Sequence, residues 1–98
     1  MLLAALLASA SLHLHPQAPG QAELRLCFDA PSPAIRYELL VSAQGPAGRS
    51  QSRQRGVADR ACPVLDRLNL PASSKVEARL RWWVDGVEQE PVTAETTL

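Results

Sequence analysis

Few residues in this 98-residue sequence have the types and spacing that chemistry demands. His13 and His15 stand two apart in Ser11–Gln21 (SLHLHPQAPGQ), a stretch with Pro and Gly and little to bury. As metal ligands they fall short, because two imidazoles on a flexible tail do not supply the three or four donors of a zinc site. Serines are present, but both histidines precede the candidate domain, so no Ser–His or Cys–His nucleophile is credible. Carboxylates are scattered without a pair suited to acid–base work, and no glycine-rich phosphate loop or metal-ligand spacing occurs. The sequence reads as a non-enzyme with no cofactor and no metal.

Cys27 and Cys62 form neither a CxxC nor a metal-ligand spacing. In an exported chain an even pair suggests one disulfide, and two separate thiols behaving as small core residues is the competing reading. A catalytic redox role lacks a partner cysteine or a nearby histidine to lower a thiol pKa.

What remains is Arg49-Ser50-Gln51-Ser52-Arg53-Gln54-Arg55-Gly56, long enough for a strand and without one apolar residue. An extended segment of this kind belongs at a sheet edge or across a solvated surface. There it could protect the edge against uncontrolled pairing, or it could meet another chain by strand addition. The preceding stretch positions it. Ile35, Tyr37, Leu39 and Val41 alternate with Arg36, Glu38, Leu40 and Ser42, which predicts a half-buried strand, and Gln44–Gly48 supplies a turn. Leu24, Leu26 and Phe28 alternate in a strand over Ala22–Phe28 that Pro31 and Pro33 end. Pro63–Leu70 reads as a strand or an irregular connection. Val76, Ala78, Leu80, Trp82 and Val84 predict a second clear strand with Glu77, Arg79, Arg81 and Trp83 outward, closed by an Asp85-Gly86 hairpin turn. Outward Trp83 either stacks on its arginine neighbours or, with Arg81, serves as a recognition anchor. Pro91 suggests an edge or a bulge before the last strand.

Short strands and no useful amphipathic helix predict an all-β fold, a small immunoglobulin-like antiparallel β-sandwich of six or seven strands. Both cysteines precede both tryptophans, so the antibody Cys–Trp–Cys order is absent. Met1–Ala10 (MLLAALLASA) looks like a secretory signal ending in a small-x-small site, although no Lys or Arg precedes its apolar run. Residues 1–21 are therefore read as leader and flexible tail, residues 22–98 as the domain, and the leader is too short to span a bilayer. Ten basic and ten acidic side chains cancel, which gives no argument for nucleic acid or an anionic membrane. Arg49, Arg53, Arg55 and Arg60 nevertheless cluster, while Asp85, Glu88, Glu90 and Glu95 close the chain. Either these are two solvated surfaces of opposite sign, or the first is a basic binding face.

Tyr37-Glu38-Leu39, the run from Gly45 through Arg49-Ser50-Gln51-Ser52-Arg53-Gln54-Arg55 to Gly56, then Val76-Glu77-Ala78-Arg79-Leu80 and Asp85-Gly86 together resemble the CsgH-like family of curli assembly proteins. These are the alphaproteobacterial-type counterparts of the periplasmic CsgC. The Cys-x-Cys of CsgC is missing, so no thiol chemistry comes with the resemblance. It implies a monomeric, immunoglobulin-like periplasmic chaperone that keeps amyloid-forming curlin subunits from fibrillising before secretion. It places client contacts on Arg49, Ser50, Ser52, Arg53, Gln54 and Arg55, to which the strand pattern adds Arg81 and Trp83. The alternative is an exported sandwich used for adhesion or as an accessory module of a surface assembly, since fold alone does not assign function.

Overall fold

The computed structural model describes residues 9–46 and 48–98. Strong alternation dictates three of its strands. In β2 (Gln21–Phe28), Ala22, Leu24, Leu26 and Phe28 are buried. In β3 (Ile35–Gly45) the buried set is Ile35, Tyr37, Leu39, Val41 and Ala43, and in β6 (Lys75–Val84) it is Val76, Ala78, Leu80 and Trp82. These inward rows make one core, with Ala58 and Val64 filling in from the connection and strand that follow β4. Each fully buried Leu or Ile contributes about 1.5–3 kcal/mol relative to exposure.

The strands form two antiparallel sheets, with β1 (Ala10–Ala18), β2 and β5 (Val64–Asn69) in the first. The second runs β4 (Gly48–Val57), β3, β6, and then both β7 (Val87–Glu88) and β8 (Val92–Thr97) along the far side of β6. β4 thus joins the sheet of β3, not the sheet of β2, and widens the second sheet past the first. Asp85 and Gly86 both have positive φ, 51° and 80°, as a two-residue hairpin turn between Val84 and Val87 requires.

The chain is an immunoglobulin-like sandwich, and its described residues form eight strands where six or seven were expected. The flexible tail expected up to Gln21 is instead mostly strand β1, with Ala10 opposite Phe28 and Pro16 opposite Ala22. Ala10, Leu12 and Leu14 are half-buried against the core, so the Ser11–Gln21 stretch, read as having little to bury, has a face to pack. The leader expected at the extreme N-terminus falls, over residues 1–8, outside the described residues.

Asp29 secures the start of β1. Its Oδ1 accepts a hydrogen bond from the Ser9 N–H at 2.7 Å, and its own N–H donates to the Ser9 carbonyl at 3.1 Å. The bond from Ser9 holds the Asp29 carboxyl below its ordinary value of 3.8. A lowered carboxyl pKa stabilises the fold above the unfolded value, and that contribution is lost as pH falls through the folded one. Asp29→Asn is expected to lower the melting temperature at neutral pH and to flatten the acid limb below pH 3.8, where the native chain has already lost this contribution, read by thermal melts across pH.

Cys27, half-buried in β2, and exposed Cys62 are joined by a disulfide with Cα atoms 4.0 Å apart. It fastens the connection between β4 and β5 to the first sheet, where the Phe28 N–H also donates to the Ala61 carbonyl at 2.7 Å.

Candidate functional site

β4 is a strand because β3 makes it one. Its backbone pairs with β3 from Arg36↔Val57 to Gly45↔Gly48, and among the described residues its other edge has no partner strand. Partners across an antiparallel pair share a face, so the register sorts the polar segment. Gly56, Gln54, Ser52 and Ser50 lie opposite Tyr37, Leu39, Val41 and Ala43, on the side of the core. Arg55, Arg53, Gln51 and Arg49 lie opposite Glu38, Leu40, Ser42 and Gln44, on the outer face. Ser50 and Ser52 remain exposed although they point inward, because β4 lies beyond the three-stranded sheet. Gln54 is half-buried, and its Nε2 donates to Asp66 Oδ2 of β5 at 3.2 Å across the open side of the sandwich.

Gly56 lets β4 approach. A Cβ there would lie 2.7 Å from Tyr37 Oη and 2.9 Å from Cζ, so the tyrosine ring occupies the space of the missing side chain. Tyr37 is buried, with its ring 6.3 Å from that of Phe28, and cannot simply step aside. Gly56→Ala is expected to cost about 1–3 kcal/mol of overpacking strain, measured by urea unfolding. An unchanged midpoint would show that the ring moves freely.

The outer face of the five-stranded sheet gathers what the chain keeps apart. β3 contributes Arg36 and Glu38, β6 contributes Lys75, Arg79, Arg81 and Trp83, and β4 contributes Arg49, Arg53 and Arg55. Seven of the chain's ten basic side chains share this face with Glu38, Glu77, Glu88 and Glu95. Glu38 is the hub, its side chain only 21% exposed. Its carboxylate meets Arg55 Nε at 3.0 Å, Arg81 Nη1 at 3.9 Å and Arg53 Nε at 4.0 Å. Arg81 also donates to Glu88 at 3.1 and 3.4 Å, and its Cζ sits 5.1 Å from the centre of the Trp83 ring. The hydrogen bond to Glu88, the charge of Glu88 and the more distant Glu38 hold the Arg81 guanidinium above its ordinary value, so it is a permanent cation. Two carboxylates cannot neutralise three guanidinium groups, and the surplus stays positive. Between Arg53, Arg79 and Arg81 the half-buried Leu40 floors a shallow hollow of 370 Å³.

Of the residues singled out from sequence, Arg53, Arg55, Arg81 and Trp83 therefore come together, Arg49 lies on the same face at the other end of β4 in line with Gln44 and Lys75, and Ser50, Ser52 and Gln54 line the other side of the same edge. Arg36, Lys75 and Arg79 complete the face and were not among them. The alternation of β3 and β6 carried the signal for these three, but only the register between strands shows that they share a face with the β4 arginines. Among the described residues no group of three or more His, Cys, Asp or Glu side chains could hold a metal, and no helix is long and apolar enough to cross a membrane.

With the sheet order and register in hand, the chain can be set beside known proteins. It is similar to the solution structure of R. palustris CsgH, with a TM-score of 0.61 and 18% identity over 93% of this chain and 92% of that one. It is similar also to the E. coli curli protein CsgC, with a TM-score of 0.64 and 15% identity over 90% and 96%. The fold is that of CsgH and CsgC. At these identities the likeness is one of fold. No family model matches the chain, and no curated protein matches it in sequence.

Proposed function

We propose that the chain is a periplasmic chaperone that holds back premature amyloid fibre formation by curli (curlin) subunits, acting as a monomer through transient contacts at β4. The observation that carries this reading is the position of Arg49, Arg53 and Arg55 on a strand whose outer edge is unpaired among the described residues, with Arg53 and Arg55 near Arg81 and Trp83 on the same face. The likeness in fold to CsgH and to the curli protein CsgC supports the choice of client.

An amyloid-forming subunit in transit exposes strand edges and polar ladders. The free edge of β4 offers main-chain groups to such a strand. An incoming strand would meet guanidinium groups on one flank and Ser50, Ser52 and Gln54 on the other. The polar, charged edge makes a poor template for further growth. Surplus positive charge raises the encounter rate with acidic segments and biases which segments dock. One short strand buries little area, so the contact exchanges quickly.

The test is curlin fibrillisation followed by thioflavin fluorescence, with the folded chain added far below stoichiometry. A greatly lengthened lag is the expected result. An unchanged lag would overturn the chaperone reading and favour an exported adhesion or accessory module.

A further inference from the structure

The basic face leaves His13 and His15 unused, since they belong to the other sheet. Two imidazoles still fall short of the three or four donors of a structural zinc site, but they do not lie on a flexible tail. Both are in β1, whose register with β2 is continuous from Ala10 to Pro16. Leu12 and Leu14 take the core side, so both imidazoles project from the solvent side of one edge strand. Their rings stack with centroids 6.1 Å apart and planes inclined by 18°.

That separation suits a shared ion. Two ring nitrogens, each about 2.0–2.1 Å from one ion, put the ring centroids roughly 5–6 Å apart. Small χ rotations of two exposed side chains bridge the difference. The strand holds the two Cα positions fixed, so little chain entropy is lost when the second ring binds. The neighbouring charges are mixed, with Glu23 in line with His15, Arg25 in line with His13, and Arg67 of β5 on the far side of Glu23. Arg25 stands opposite His13, but its Nη2 turns to Glu23 Oε1 at 3.0 Å, and Glu23 is the residue opposite His15.

We propose that His13 and His15 form a two-imidazole site on β1 for a divalent first-row transition-metal ion, its other coordination positions open to water. Imidazole donors suit copper, nickel and zinc, and the usual affinity order places Cu²⁺ first. The site is separate from β4 and independent of the chaperone reading.

The experiment titrates Cu²⁺, and Zn²⁺ in parallel, into the full chain, and into His13→Ala and His15→Ala, by calorimetry. One equivalent of Cu²⁺ is expected to bind, and each substitution is expected to weaken it at least tenfold, with unchanged thermal melts because both rings are exposed. Substoichiometric Cu²⁺ should also broaden the imidazole proton resonances of both histidines together. A single-histidine variant that keeps the native affinity, or broadening confined to one ring, would overturn the proposal.

Discussion

Reversing two charges, Arg53→Glu together with Arg55→Glu, is expected to raise at least tenfold the amount of protein needed for a given curlin lag. Both side chains are more than half exposed, so they meet a partner before the core does. In the native chain they converge on Glu38 and leave the face positive. The double reversal places three carboxylates together and turns the local surplus negative, which repels the acidic segments it attracted. A tenfold loss corresponds to about 1.4 kcal/mol, within reach of a change of two charges at an interface. The neutral pair Arg53→Gln and Arg55→Gln should lose less, and Arg60→Glu, outside β4, should lose little. Raising ionic strength to about 1 M shortens the Debye length to ~3 Å and should mimic the neutral pair, measured against curlin alone at the same salt. Circular dichroism of each variant separates a lost contact from a lost fold. A double reversal that stays folded and still delays fibrils as the native chain does would remove β4 arginines from the mechanism.

The second large effect is on stability. Reducing the Cys27–Cys62 bond, or replacing both residues by serine, is expected to lower the unfolding free energy by about 4 kcal/mol. The bond closes a sequence separation of 35 residues, and on the chain-entropy model that restricts the unfolded ensemble strongly. Domains of this size hold only about 5–15 kcal/mol in total, so the loss is a large share. It corresponds to a fall in melting temperature of roughly 15–30 °C. The local consequence is specific as well. Without the bridge, the connection between β4 and β5 is held at Ala58 by its burial and its backbone hydrogen bonds to Ile35 and Ser32, and near Cys62 only by the Phe28–Ala61 hydrogen bond, so hydrogen exchange should rise first at that bond. Urea unfolding with and without reductant measures the effect, and a change below about 1 kcal/mol would mean that strand pairing alone holds the connection.

These two results draw on different layers of information. β3 and β6 are legible from residues alone, because Ile35, Tyr37, Leu39 and Val41, and Val76, Ala78, Leu80 and Trp82, alternate without interruption, and a period of two admits one burial pattern. The edge position of β4 is legible for the converse reason, since a strand with nothing apolar cannot be covered on both sides. β1 is not legible. Its apolar positions Ala10, Leu12 and Leu14 run on from a Leu/Ala stretch that reads as a leader, and they are only half-buried. That faint pattern becomes a strand only because β2 offers it an unpaired edge and the core offers it a face.

The sequence by itself determined the class of the fold, the inward rows of its central strands and the polar character of β4, because each follows from the order of neighbours along the chain. Only the tertiary structure decided that Cys27 meets Cys62 and that Arg36, Arg79 and Arg81 stand in one sheet face with the β4 arginines around Glu38. It also decided that Ser50, Ser52 and Gln54 turn the other way. Those facts depend on the register between strands far apart in the chain, and register is set by the summed packing of both sheets, which no local pattern contains.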